Sequence, residues 1–136
     1  MRITVDTNIL VRAAINDDPD QARQARDLLQ VAETVVLTLP ALCEFVWVAR
    51  RAYRRQAGDI AAAMRQLLAA PSMVVERSAA EAGLAMLEAG GDFADGVIAF
   101  EGRRLGGPVF ASFDRRAIEL IAAAGAETHL VGPAAD

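Results

Sequence analysis

One carboxylate, Glu44, stands inside the apolar run TVVLTLPALCEFVWVA (34–49), where no other charge occurs between Glu33 and Arg50. Flanked by Leu42, Cys43, Phe45, Val46 and Trp47, it is expected to risk burial, which costs several kcal/mol unless a cation or hydrogen bonds compensate. Three more acids stand at comparable places. Asp6 directly follows the β-branched run RITV, Asp114 follows PVFAS by one residue, and Asp95 opens the helical stretch DFADGVIAF. In a parallel sheet, ligands bind outside the carboxyl ends of the strands, where Asp6, Glu44 and Asp114 are expected. Ionised carboxylates about 4 Å apart repel by roughly 1 kcal/mol in water and about 4 kcal/mol at an effective dielectric near 20. Such a group must either hold protons or bind a cation. Hard oxygens without paired His or Cys suit Mg²⁺ or Mn²⁺, and the chemistry implied is metal-assisted phosphodiester hydrolysis. The plainer role for Asp6, Asp92, Asp95 and Asp114 is helix capping, worth about 1 kcal/mol each. A salt bridge to an Arg is the plainer role for Glu44.

Composition narrows the chemistry further. All 14 basic residues are Arg. Without lysine there is no Walker phosphate loop and no Schiff base. The net charge of −4 does not favour a polyanion partner overall, so any nucleic-acid contact must rest on local arginine clusters. Cys43 is the one cysteine and His129 the one histidine, too few to build a zinc site. A lone thiol in an apolar setting fits a reducing, cytoplasmic location. Glu44 breaks the longest apolar run below the roughly 18 residues of a membrane helix, and the N-terminus lacks a signal-peptide layout. With 136 residues, 54% hydrophobic and 24% charged, the chain suits a single globular domain over 1–136.

The elements that must position these acids alternate. Strands are expected at 2–5, 34–38, 72–76, 108–112 and in ETHLV. Helices are expected after Asp6, from Pro19, from Pro40 to about Arg55, over DIAAAMRQLLAA, from a capping box at Ser78–Glu81, over DFADGVIAFEGRRL and over DRRAIELIAAAG. Strands separated by helices predict an α/β fold with a mainly parallel central sheet and helices on both faces. Only the PAAD tail reads as low complexity.

VDTNILV, the acid in ALCEF, DFADGVIA and FASFDR, in that order over nearly the whole chain, resemble the PIN-domain family, and within it the VapC-type toxins of bacterial toxin–antitoxin pairs. The resemblance implies a three-layer α/β/α sandwich and a Mg²⁺- or Mn²⁺-dependent ribonuclease. Asp6, Glu44, Asp95 and Asp114 match the family's acidic quartet of catalytic and metal residues: Asp6 and Asp95 would hold the metal directly or through water, Asp114 would complete the cluster or help hold a second ion, and Glu44 would orient the attacking water or a metal-bound water. Asn8 and Ser112 match positions that hydrogen-bond around the ligands. Asp92 would cap its helix or join the metal through water. Gly96 departs from the family's usual Ala, which would weaken that helix slightly. A homodimer and a small cognate antitoxin are the implied partners.

RNA contact is expected from Arg115 and Arg116, beside Asp114. It is also expected from RRAYRR, where Arg50 and Arg54 would share a helix face and Tyr53 would offer a stacking surface. A solvated helix end is the alternative for that tract. Phe45 and Trp47 are expected in the core or a dimer contact, with base stacking as the alternative. Two rival functions use the same acids. An aspartyl phosphatase or phosphotransferase would employ Asp6 as nucleophile, but position 8 is Asn and no Lys is available. A non-catalytic binding module would not need the quartet.

Overall fold

The computed structural model describes residues 1–132; the PAAD tail lies outside them. Among these residues, seven helices alternate with five strands, and every strand pairing is parallel. This is the α/β class of the three-layer α/β/α sandwich. The backbone divides into two compact units, Met1–Arg77 and Ser78–Asp136.

In the first unit, β1 (Arg2–Thr4), β2 (Thr34–Val36) and β3 (Met73–Val74) form a sheet in that order. Val35 pairs with Ile3 on one side and Met73 on the other and is fully buried, as a central parallel strand demands. The connections are α1 (Thr7–Ala14), α2 (Pro19–Val31), α3 (Leu39–Arg51) and α4 (Ala57–Leu68). Pro19 and Pro40 sit in the first turns of α2 and α3, where a missing N–H costs nothing, and Asp18 and Thr38 cap the two helices. The core is built from Leu10 and Val11 of α1, Ala22 and Ala25 of α2, Leu42, Phe45 and Val46 of α3, and Ile60 and Met64 of α4. Each of the larger side chains contributes about 1.5–3 kcal/mol on burial.

The helix from Pro40 ends at Arg51, not near Arg55. Arg54 adopts φ 53, in the left-handed region, and the Arg55 N–H returns to the Ala49 carbonyl. The chain thus turns away from the helix axis, and Arg50 and Arg54 do not share a helix face.

The second unit contains α5 (Arg77–Glu88, whose first residue closes the other unit), α6 (Phe93–Arg104), β4 (Val109–Ser112), α7 (Arg115–Ala123) and β5 (Glu127–Leu130). β4 and β5 form their own parallel pair. Helix α5 starts one residue before Ser78, so Ser78 lies inside the first turn and is not the cap that the sequence suggests. Phe93 is 0% exposed, and its ring lies against Gly83, where a Cβ would stand 2.6 Å from Cε2. Gly96 is also buried against α5; a Cβ there would meet Gly83 Cα at 2.9 Å and the Ala82 carbonyl oxygen more closely still. The glycine is therefore a packing requirement, not the mild helix weakness that the sequence implies.

Candidate active site

Asp6 leaves the carboxyl end of β1 and caps α1, its Oδ1 accepting from the Ile9 N–H at 3.1 Å. The Val5 N–H reaches the Val36 carbonyl at 3.4 Å, so the neighbouring ends of β1 and β2 stay in register up to the acid. Glu44 lies in the second turn of α3, the helix that follows β2. The two acids line one open hollow of about 410 Å³ with Thr4, Thr7, Thr38 and Pro40.

Glu44 is exposed, contrary to the burial that its neighbours suggest. Helical spacing sends Ala41, Leu42, Phe45, Val46 and Ala49 into the core and leaves Pro40, Glu44, Trp47 and Arg51 on the outer face. An apolar stretch thus presents a carboxylate to water without a desolvation cost. The same geometry places Phe45 in the core, as expected, but leaves Trp47 61% exposed with the Arg51 guanidinium 6.0 Å from its ring centroid.

Thr7 is the residue that the sequence reading passed over. Its hydroxyl donates to Glu44 Oε2 at 3.1 Å, whereas Asn8, the position expected to support the acids, is exposed on the second residue of α1. The signal was available: a hydroxyl side chain next to an acid that caps a helix is well placed to reach a neighbouring strand's helix.

In the second unit, Asp92 caps α6 by accepting from the Ala94 N–H at 3.0 Å. Asp114 caps α7 by accepting from the Ala117 N–H at 3.1 Å. Ser112 Oγ accepts from the Asp114 N–H at 3.0 Å, fixing the backbone that carries that acid. Asp95 is not the cap of α6; it occupies the third helical position and is half-buried. Burial raises its pKa above the ordinary carboxylate range, and the charges of Asp92 and Asp114 raise it further. Asp95, Asp92 and Asp114 are therefore electrostatically coupled, and a cation would relieve the repulsion.

Arg115 and Arg116 are exposed in the first turn of α7, with Arg116 4.0 Å from Glu119. The Tyr53 hydroxyl donates to Asp17 Oδ2 at 2.8 Å, and Asp17 also pairs with Arg12 at 2.9 Å, which fixes the place of the phenol ring. These bonds depress the Asp17 pKa, the Tyr53 hydrogen bond most strongly.

The donors offered by both units are carboxylate oxygens, a set that suits a hard divalent cation. Among the described residues, no group of three or more His, Cys, Asp or Glu side chains is preset to hold a metal. No described helix is long and apolar enough to cross a membrane. No curated protein matches the chain. A family model described as PIN domain, a family whose members are generally divalent-metal nucleases acting on nucleic acid, matches residues 3–123, and the chain belongs to that family.

Proposed function

We propose that the protein is a metal-dependent endoribonuclease and the toxin of a type II toxin–antitoxin pair. The observation that carries the reading is the coincidence of the PIN match over both units with acids at every position of the expected quartet, Asp6, Glu44, Asp95 and Asp114. The match supports treating 1–136 as one functional domain. The toxin role, the cognate antitoxin and the homodimer rest on the likeness of VDTNILV, ALCEF, DFADGVIA and FASFDR to VapC-type toxins.

Following the resemblance, Asp6, Asp95, Asp114 and Glu44 are assigned to Mg²⁺ or Mn²⁺. When bound, the ion lowers the pKa of water and offsets charge growing on the phosphate. Capping occupies one oxygen each of Asp6 and Asp114 and leaves the other to hold a cation. Glu44 orients the attacking water, and the Thr7 hydroxyl fixes which oxygen it presents. Ser112 holds the Asp114 backbone, and the charge of Asp92 adds to the repulsion at Asp95 that a bound cation would relieve. Arg115 and Arg116 contact RNA phosphates. Their place at the positive end of the α7 dipole is electrostatically unfavourable for the fold alone, which supports a ligand role.

RNA incubated with purified protein and Mg²⁺ or Mn²⁺ is expected to be cleaved, and Asp6→Asn and Glu44→Gln are expected to stop cleavage while keeping the fold. Equal cleavage by wild type and both variants would defeat the assignment. Release of phosphate from a monoester would favour a phosphatase.

A further inference from the structure

The C-terminal end of α3 carries a feature that the acids do not use. Arg50, Arg51, Arg54, Arg55 and Gln56 line an open hollow of about 440 Å³. Among the described residues, none of these four guanidiniums pairs with a carboxylate, although the chain is net acidic. Arg54 is the described non-glycine residue with positive φ, a conformation kept only where its surroundings enforce it. The enforcing contacts are visible. The Tyr53 hydroxyl is tied to Asp17, and the Tyr53 and Arg55 N–H groups return to Val48 and Ala49 carbonyls. The α3 dipole favours Arg50 and Arg51 in the last turn, but the loop adds Arg54 and Arg55 to them, and a polyanion is the ligand that would relieve the mutual repulsion of all four.

The hollow is continuous with an exposed stripe of α3. Glu44, Trp47 and Arg51 follow at helical spacing on its outer face, with the Arg51 guanidinium over the Trp47 ring. Glu44 lines the acid hollow at the other end, roughly 10 Å along the axis from Arg51. An indole with an adjacent guanidinium offers a base a stacking platform, and the arginines beyond it offer phosphates their counter-charge.

We infer that the outer face of α3, from Trp47 to the Arg50–Arg55 hollow, is a distal subsite for single-stranded RNA, stacking one base on Trp47 and neutralising the neighbouring phosphates. This rests on the ribonuclease reading for the choice of RNA, but the subsite itself binds without metal and without cleavage.

Trp47 is the sole tryptophan, so its emission reports the subsite directly. Titration of the whole protein with a short oligouridylate, in chelator, is expected to quench it. A labelled oligouridylate followed by anisotropy gives the affinity of every variant. Trp47→Ala is expected to weaken binding about tenfold. The combined Arg50→Ala, Arg54→Ala, Arg55→Ala variant is expected to flatten the salt dependence of log K by about 2, near 0.7 per lost phosphate contact. Arg54→Gly keeps the left-handed turn and is expected to remove about 0.7 of that slope without lowering the melting temperature. Absence of quenching, or unchanged affinity and slope in these variants, overturns the subsite even where cleavage with metal proceeds. Quenching in a protein that never cleaves RNA supports the subsite and removes only the ribonuclease reading. Equal quenching by polyphosphate overturns base stacking, and preferential quenching by polyglutamate assigns the face to an acidic protein segment instead. A shift of Trp47 emission with protein concentration alone places a second copy there and also overturns it.

Discussion

Thr7 donates its hydroxyl to Glu44 Oε2 over 3.1 Å, linking the first residue of α1 to the second turn of α3. The bond joins segments 37 residues apart at the rim of the hollow that Asp6 also lines. Both partners are accessible to solvent, so the bond adds little to stability, about 0.5–1.5 kcal/mol at most. Its consequence is orientation. One carboxylate oxygen is occupied and the other is presented in a defined direction.

In the proposed mechanism Thr7 is accordingly a positioning residue. Thr7→Val removes the donor at nearly constant shape and is expected to lower kcat roughly tenfold with KM little changed, while Thr7→Ser restores most of the rate. Steady-state cleavage of a defined RNA measures both parameters. Parallel losses in Thr7→Val and Thr7→Ser would show that shape, not the hydroxyl, matters.

The cap that Asp6 forms and the metal role proposed for it can be separated by substitution. Asn caps helices as well as Asp does, so Asp6→Asn is expected to leave the melting temperature nearly unchanged while removing the negative charge that a metal requires. Asp6→Ala loses the cap as well and is expected to cost a further ~1 kcal/mol. Denaturant melts of the two variants, set beside their cleavage rates, distinguish capping from catalysis. If Asp6→Asn cleaved RNA at the wild-type rate, Asp6 would be a cap and nothing more.

Much of this molecule is legible in its sequence because its signals are local. The β-branched RITV and TVV, the prolines at positions 19 and 40, and the acids that end strands each point to the element that forms. The failures come from interactions that no local window contains. Glu44 looked buried because its sequence neighbours are apolar, but the helical period turns it outward. The tract RRAYRR looked like a helix, but Tyr53 reaches Asp17, 36 residues away, and the backbone breaks at Arg54. Asp92 and Asp95 differ in setting, one capping α6 and the other half-buried in its first turn, but the choice of Asp95 as a metal ligand rests on its place before GVIA in the resemblance.

Asp95 links the candidate metal site to pH. Its folded-state pKa lies above the ordinary carboxylate value, so the folded protein holds more protons than the unfolded chain between those two values. Stability without metal is therefore expected to fall as pH rises through that window, and the penalty persists at neutral pH. Asp95→Asn removes the repulsion with Asp92 and Asp114 and is expected to raise metal-free stability by about 1 kcal/mol. The same substitution should abolish most of the stabilisation that Mg²⁺ or Mn²⁺ confers on the wild type. Thermal melts across pH, with chelator and with metal, test all three points. Clear destabilisation of Asp95→Asn in chelator would mean that the carboxylate supports the fold and is not held there against repulsion.

The close approach of α5 and α6 makes the strongest prediction about folding. On an exposed helix, Gly→Ala gains about 0.8–1 kcal/mol of propensity. At Gly96 the added methyl meets backbone, the Ala82 carbonyl and Gly83 Cα, neither of which can rotate away as a flexible side chain would. Overpacking of this kind costs about 1–3 kcal/mol, so the clash outweighs the propensity. Gly96→Ala is expected to destabilise the protein by about 1 kcal/mol or more, with Gly58→Ala as the control. Gly58 also lies in a helix, α4, but has open space where its Cβ would go. Gly58→Ala should be neutral or stabilising. Because Asp95 is the neighbour of Gly96, any shift of α6 that relieves the clash also moves the acid, and Gly96→Ala should lose cleavage activity beyond its loss of stability. Urea melts and cleavage rates measured at a temperature where both variants remain folded separate the two effects. A Gly96→Ala protein as stable as wild type would show that the two helices can part at little cost.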